Sequence, residues 1–492
     1  MKNLNVNFIL NVDSYKTAHG MMMKEGVIAL ESNIIARKPT PYTTHVVMMG
    51  MQVFLQEYMD ITITTEDIDE AEEETASRGD YFDRPFWEHV VNVHKGRVPL
   101  HIRAIPEGTV VPVGVPLVRS MSTDPAVVVI ASYVETQLQR AVWFPTTVAS
   151  NARSIKSFLA DTMERHAGHR NVDYHLHNFG DRGASSYESA MLAAISHATV
   201  FNGSDCLIAN RYIKHYYHTK TNYLSSVMAT EHSATCSNSD ADKRDDFAMA
   251  LKMVRIWEKM CDDYIAKGSV GVPPIVSVVI DTYDAYRFVR EFIGTRLKST
   301  IQAIARKCPG AKLVMRPDSG DPTTMPIEIL EILAEKFGTT LNAKGMRVLP
   351  SYIGVIQGDG ISEESIRAIV SNLDKHNLSL ENIVFGMGGK LVHPPKGRDN
   401  YSFAMKGSAQ QLEDGTWEDL FKDPITDVSK RSLRGRVTTF KCKQSGKIMA
   451  ERVELQDVNP FLEDMMVDVY KDGVIMNLST FDEVRERANT GL

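Results

Sequence analysis

At 492 residues the chain exceeds what one hydrophobic core usually absorbs, so two domains or one elaborated barrel are expected. Apolar residues are 43% and charged residues 24%, which excludes disordered, collagen-like and mucin-like chains. The 55 Lys plus Arg against 62 Asp plus Glu give −7, which argues against a protein built to grip nucleic acid or an anionic membrane. A local anion site needs only a few converging cations, so that class stays open.

No basic stretch followed by an apolar run opens the chain, because Asn3, Asn5, Asn7 and Asp13 interrupt it. Uncharged apolar stretches such as Ser269 to Ile280, with its two prolines, fall far short of a membrane span. Five cysteines (Cys206, Cys236, Cys261, Cys308, Cys442) are scattered with no C-x-x-C pair, so a reduced, cytoplasmic compartment is expected.

Between Val98 and Met121 apolar and polar residues alternate, punctuated by Pro99, Pro106, Gly108, Pro112, Gly114 and Pro116, which predicts short strands and tight turns. The middle has another rhythm. Tyr174 to His177 reads as a strand running into Asn178-Phe179-Gly180-Asp181-Arg182-Gly183. Ile275 to Ile280 ends at Asp281, and Leu313 to Met315 runs into Arg316-Pro317-Asp318-Ser319-Gly320. Tyr352 to Ile356 runs into Gln357-Gly358-Asp359-Gly360, and Ile383 to Phe385 into Gly386-Met387-Gly388-Gly389. Continuous apolar runs suit strands buried on both faces of a parallel sheet.

Helical patterns separate them. One opens at Pro326 and stops at Gly338; another follows Ser362, with Glu363 and Glu364 in its first turn. The repeat of strand, polar loop and helix predicts a (β/α) barrel or an open α/β sheet, and both place ligands at the C-terminal strand ends. Towards the C-terminus, Arg436 to Cys442 and Lys447 to Leu455 flank Lys443-Gln444-Ser445-Gly446, a hairpin pattern.

Asp281, Arg316, Asp318, Asp359 and the amides of Gly358, Gly388 and Gly389 all fall at predicted strand ends. Arg presents a planar fork to phosphate oxygens, glycine lets backbone N–H groups approach them, and carboxylates bind ribose hydroxyls or hydrated magnesium. Any one cluster reads equally well as a tight turn with solvated charges; four at strand ends read as a site for a phosphorylated sugar. Phe179 in its glycine-flanked loop reads either as a platform for a flat ring or as a core aromatic. Among 15 histidines, His232 stands out only by its place in Glu231-His232-Ser233 beside this series.

With Asp13-Ser14-Tyr15-Lys16, Gly203-Ser204-Asp205 and Phe421-Lys422-Asp423-Pro424 added, these motifs occur in family order, and the chain resembles the nicotinamide phosphoribosyltransferase family over nearly its whole length. That resemblance implies a homodimer with shared active sites. It also implies an irregular (β/α) barrel-like catalytic domain over 151–395 and a β-rich domain built from 1–150 and 396–492. By motif matching, Phe179 and the partner subunit's Tyr15 would sandwich nicotinamide and Asp205 would take its amide. Arg316, Asp318, Gly358, Asp359, Gly388, Gly389 and Arg398 would hold the ribose phosphate of 5-phosphoribosyl-1-pyrophosphate. Arg182, Arg37, Lys422 and Lys430 would face pyrophosphate or nucleotide phosphates. His232 would be phosphorylated by ATP, an optional coupled substrate, with Asp281 as its orienter, and Mg²⁺ would accompany the diphosphate.

The chain departs from the animal members at Met387, in place of a small hydroxyl residue, and at Ala404, in place of a lysine. Lys406, two residues on, keeps the same strand facing with a different reach. Asn178 and Asp181 also differ. The nearest rival is nicotinate phosphoribosyltransferase, disfavoured because Asp205 repels a ring carboxylate. A non-catalytic phosphate-ligand scaffold is the rival from another class, and His232, Asp281 and Arg316 together argue against it. An aldolase-type barrel would want a lysine in the four apolar runs, and none is there.

Overall fold

The computed structural model describes residues 6–427 and 430–492; Asn3 and Asn5 lie outside them. The chain divides into two compact units, one formed by Met1–Arg153, Arg211–Thr221 and Pro394–Gly491, the other by Ser154–Asn210, Asn222–His393 and Leu492. No helix among the described residues is long and apolar enough to cross a membrane.

The first unit is β-rich and draws on both ends of the chain. Its largest sheet has seven antiparallel strands in the order Trp417–Asp419, Ala404–Leu412, Val27–Ile35, Pro116–Ser122, Leu100–Ala104, Val467–Lys471, Val474–Ile475. In Leu100–Ala104 the alternation is clean: Leu100, Ile102 and Ala104 are buried, while His101 and Arg103 are half-buried. Leu100, Ile102, Leu117, Phe403, Met405 and Tyr470 share one apolar core. The C-terminal hairpin forms between Val437–Cys442 and Ile448–Arg452, and Gly446 turns it with φ +69 while its N–H donates to the Cys442 carbonyl at 2.8 Å.

The second unit is the curled parallel sheet. Its strands are β1 (Leu176–Asn178), β2 (Gly203–Ser204), β3 (Met228–Ala229), β4 (Ile275–Val279), β5 (Lys312–Arg316), β6 (Ile353–Gln357) and β7 (Ile383–Met387). They lie in the order β2-β1-β7-β6-β5-β4-β3, with every neighbouring pair parallel. One short segment reaches both edges: Ser225 bridges Gly203 of β2, and β3 pairs with β4. The sheet therefore curls round on itself as an irregular barrel.

Burial explains the nearly continuous apolar runs. Val276, Val278, Leu313, Met315, Ile353, Val355 and Phe385 are all at most 2% exposed. Helix Met325–Phe337 begins at Pro326 in its first turn and stops at Gly338, whose φ of 81 suits only glycine. Helix Glu363–Lys375 starts on the side chain of Ser362, which accepts from the Ser365 amide, and buries Ile366, Ile369, Val370 and Leu373 on one face.

Candidate active site

The polar loops beyond the strand ends gather two groups of side chains within the second unit. The first centres on Asp281, two residues past β4, whose side chain is only 4% exposed. Its Oδ2 accepts the Asp318 amide at 3.0 Å and the Ser319 hydroxyl at 2.5 Å, so the loop after β5 fixes it from one side. Its Oδ1 lies 3.2 Å from Nε2 of His232, the first residue of a one-turn helix that follows β3. An ionised carboxylate only accepts, so this contact calls for a proton on Nε2, and in the neutral ring Nδ1 then carries the lone pair. Nδ1 is 3.8 Å from Asp318 Oδ2, too far for a hydrogen bond, and His232 remains 44% exposed. A reactant can reach that nitrogen.

Arg316, the last residue of β5, donates from Nη2 to the Thr230 carbonyl at 2.5 Å. Its Nε is buried with no hydrogen-bond partner.

The second group forms around Phe179. Its N–H donates to the Met387 carbonyl at 2.9 Å, which continues the β1–β7 ladder one residue beyond β1. The ring then lies across glycine backbone: a Cβ on Gly386 would stand 2.1 Å from Phe179 Cε2, and one on Gly358 would stand 3.3 Å away. The same Gly358 position is 3.6 Å from Asp318 Oδ1, so Phe179 and Asp318 both border it. Gly180 donates to the Asn178 side chain at 2.8 Å, and Gly183 packs against Gly389, which opens a short helix just past Gly388. Arg182 and Asp359 are exposed on their loops.

Asp205 follows β2, its amide donating to the Asn178 carbonyl at 3.0 Å and its carboxylate accepting the Ser226 hydroxyl. Its carboxylate is exposed at the strand end. Beneath it, burial pushes the His177 imidazole below its ordinary value, with Asp205 opposing, so His177 is a neutral packing group. Gly203 is required there, since a Cβ would stand 2.5 Å from the His177 ring.

An aromatic ring on glycine backbone, an exposed carboxylate, a guanidinium, glycine-rich loops and a histidine held by Asp281 therefore lie at one sheet end. The sequence model described as "Nicotinate phosphoribosyltransferase (NAPRTase) family" matches residues 174–471, and that described as "Nicotinamide phosphoribosyltransferase, N-terminal domain" matches 7–102. A nicotinamide phosphoribosyltransferase of Xanthomonas campestris pv. campestris is 35% identical over 486 residues, covering 98% of both chains. One of Acinetobacter baylyi is 29% identical, covering 98% of this chain and 97% of its own. The chain belongs to the nicotinamide phosphoribosyltransferases, within the nicotinate phosphoribosyltransferase family.

It is accordingly a pentosyltransferase. Human nicotinic acid phosphoribosyltransferase has the same fold, with TM-score 0.59 at 16% identity over 97% of this chain and 93% of that one.

The remaining residues singled out from the sequence lie in the first unit. Arg37, Lys38, Lys396 and Lys430 line a cavity of about 370 Å³ together with Asp399 and Asp427, an excess of two positive charges. Arg37 is anchored by its Nε on the Ser402 carbonyl at 2.9 Å, and Lys430 stands 3.6 Å from Asp427. Lys422 is exposed, its amide donating to the Ser432 hydroxyl at 2.8 Å. Tyr15 is 58% exposed, and its hydroxyl is pushed up by partial burial and by Glu135 and Asp13, with Arg398 opposing. Ala404 is buried opposite Ile35, and Lys406 stands 3.3 Å from Glu135, which Lys16 also contacts at 2.5 Å. Lys406 is thus committed to an ion pair.

Sequence reasoning passed over Gly386, Thr230, Ser226 and Ser319. Gly386 had a signal, since it sits in the same glycine stretch as Gly388 and Gly389. The other three are ordinary polar residues whose value comes only from what they face.

Proposed function

We propose that the chain forms nicotinamide mononucleotide and pyrophosphate from nicotinamide and 5-phosphoribosyl-1-pyrophosphate, a reaction of NAD salvage in the cytoplasm. The observation that carries this reading is Asp205 exposed at the strand end beside the loop bearing Phe179. Phe179 offers a face for the pyridine ring, and the Asp205 carboxylate accepts from a carboxamide N–H₂ but repels a carboxylate. Like charges in a buried contact cost on the order of several kcal/mol, enough to choose between the two bases.

The pyridine nitrogen already has a free lone pair, so its attack on C1 of the ribose needs no general base. Catalysis then rests on holding the reactants in line and stabilising charge on the departing pyrophosphate. Arg316, with its unpartnered Nε, and the amides of Gly358, Gly388 and Gly389 bind the ribose 5-phosphate, while Asp318 and Asp359 take ribose hydroxyls. Arg182 takes pyrophosphate. The exposed carboxylates of Asp318 and Asp359 would offer oxygen to a hydrated Mg²⁺ carried with the diphosphate, which would supply charge neutralisation to the leaving group.

His232 accepts the γ-phosphoryl group of ATP. The free Nδ1 bonds to phosphorus, the bond from phosphorus to the bridging oxygen breaks, ADP leaves, and Asp281 stabilises the positive charge through the Nε2 proton. Tyr15, Arg37, Arg398, Lys422 and Lys430 join through a homodimer, with Tyr15 of the partner subunit on the second face of the ring. The net cationic cavity around Arg37 and Lys430 suits the phosphates this reading assigns to it.

The test is incubation with 5-phosphoribosyl-1-pyrophosphate, Mg²⁺ and either base, followed by identification of the mononucleotide. Turnover of nicotinate in preference to nicotinamide overturns the reading. Mixing Tyr15→Ala with Phe179→Ala subunits tests sharing, because one site of the heterodimer is then intact and activity returns.

A further inference from the structure

Within the first unit, three side chains that play no part in the site above converge. Helix Arg84–His94 carries His89 and His94, and Asp124 stands just beyond strand Pro116–Ser122 at the start of the turn Pro125–Val127. Residues five apart diverge by roughly 140° on an ideal helix, so no sequence spacing announces this meeting. Even so, both Nε2 atoms reach the same carboxylate oxygen, Asp124 Oδ2, at 2.8 Å from His89 and 2.6 Å from His94. The other oxygen, Oδ1, is committed to the Ala126 amide at 2.8 Å, which aims Oδ2 at the imidazoles.

We propose that His89, His94 and Asp124 form a binding site for a borderline divalent transition-metal ion of the Zn²⁺, Co²⁺ or Ni²⁺ class. One nitrogen from each imidazole and one carboxylate oxygen lie within 4.8 Å of one another, and no other group of three or more such side chains converges this way among the described residues. Two imidazoles with one carboxylate suit this class, whereas Mg²⁺ and Ca²⁺ take oxygen ligands. Around a tetrahedral ion with bonds of about 2.0–2.1 Å, ligand atoms stand on the order of 3.3 Å apart. On binding, the His89 and His94 nitrogens therefore move away from Oδ2 by about 0.5 and about 0.7 Å. The three side chains are 31%, 22% and 18% exposed, open enough for an ion to enter from solvent. A bound ion clamps the helix to the end of the strand, and water fills the fourth position.

The test uses the full chain after dialysis against a chelator, titrated with Co²⁺ and then Zn²⁺. The expected result is one equivalent of Co²⁺ giving a visible ligand-field band without the charge-transfer band of a thiolate ligand, which excludes the exposed Cys236. Zn²⁺ displaces it and raises the melting temperature. His89→Gln with His94→Gln keeps hydrogen-bonding side chains on Asp124 and lowers the affinity at least about tenfold. If the double variant does not fold, His94→Gln alone carries the comparison. Absence of the band, an unchanged band and affinity in the variants, or an equal melting shift with Mg²⁺ each overturns the proposal and leaves a hydrogen-bonded triad only.

Discussion

The two units use the same charged residue types in opposite ways. In the antiparallel sheet Glu31 is 1% exposed and receives Arg119 in a two-point contact at 3.1 and 2.8 Å. The register sets Glu31 opposite Met121 and Asn33 opposite Arg119, so the two charges are diagonal neighbours on one face. Arg103, two strands from Glu31, is held by Asp464 at 2.7 Å and Asp468 at 3.0 Å. These charges are consumed by each other. In the curled parallel sheet the centres of the strands from Ile275–Val279 to Ile383–Met387 are mostly apolar, and His232, Asp318, Arg182 and Asp359 come beyond the strand ends, where no neighbouring strand covers them. Whether a charge is available for chemistry is decided by its partner and its burial, and the residue type alone says little.

Glu31→Gln should break that comparison most sharply. It leaves Arg119 buried against a neutral partner, and a denaturant melt should show a loss of about 3–5 kcal/mol. Asp318→Asn, on the half-exposed side, should leave the melt nearly unchanged while lowering turnover. A large stability loss at Asp318 would erase the distinction between the units.

Gly386→Ala comes next. The added Cβ meets the Phe179 ring at 2.1 Å, so either the ring leaves its platform or the strand end shifts. The expected cost is about 3 kcal/mol in stability, with KM for the flat base raised more than KM for the diphosphate. Equal effects on both substrates would separate Phe179 from base binding.

A charge in the second unit tests the rule from the other direction. Asp246 is 3% exposed, its Oδ2 has no hydrogen-bond partner, and burial with the Asp245 charge pushes its carboxyl up to about 6, against its own backbone hydrogen bond. Burial penalises the ionised form, so the contribution of Asp246 to stability is greatest below about pH 4 and is lost as pH rises through about 6. Asp246→Asn should remove that fall and raise stability at neutral pH by about 2 kcal/mol. Melting curves at several pH values read it directly, and parallel wild-type and variant profiles would contradict it.

The smallest effect is expected at Lys406→Ala. Its partner Glu135 keeps Lys16, and Lys406 is 46% exposed, so the loss should be about 0.5 kcal/mol or less with turnover unchanged. A substantial fall in turnover would return Lys406 to the phosphate-binding set.

The sequence by itself determined the parallel strands, because a strand covered on both faces must be apolar along most of its length, as Ile275 to Ile280 is apart from Ser277. It also determined the helix punctuation at Ser362 and Gly338, where a cap or a positive φ restricts the residue type. It marked Arg316, Asp318, Asp359 and the glycines as strand-end residues, since the switch from apolar run to polar loop is itself a local pattern. Only the tertiary structure decided which of them meet. That Asp281 faces His232 across 49 positions, that Phe179 lies on Gly386, and that Ser226 steadies Asp205 depend on how the sheet curls. Curling brings together residues far apart in the chain, and no local periodicity records it. The same limit hid the convergence of His89, His94 and Asp124, where the backbone path, and no spacing along the chain, sets the distance.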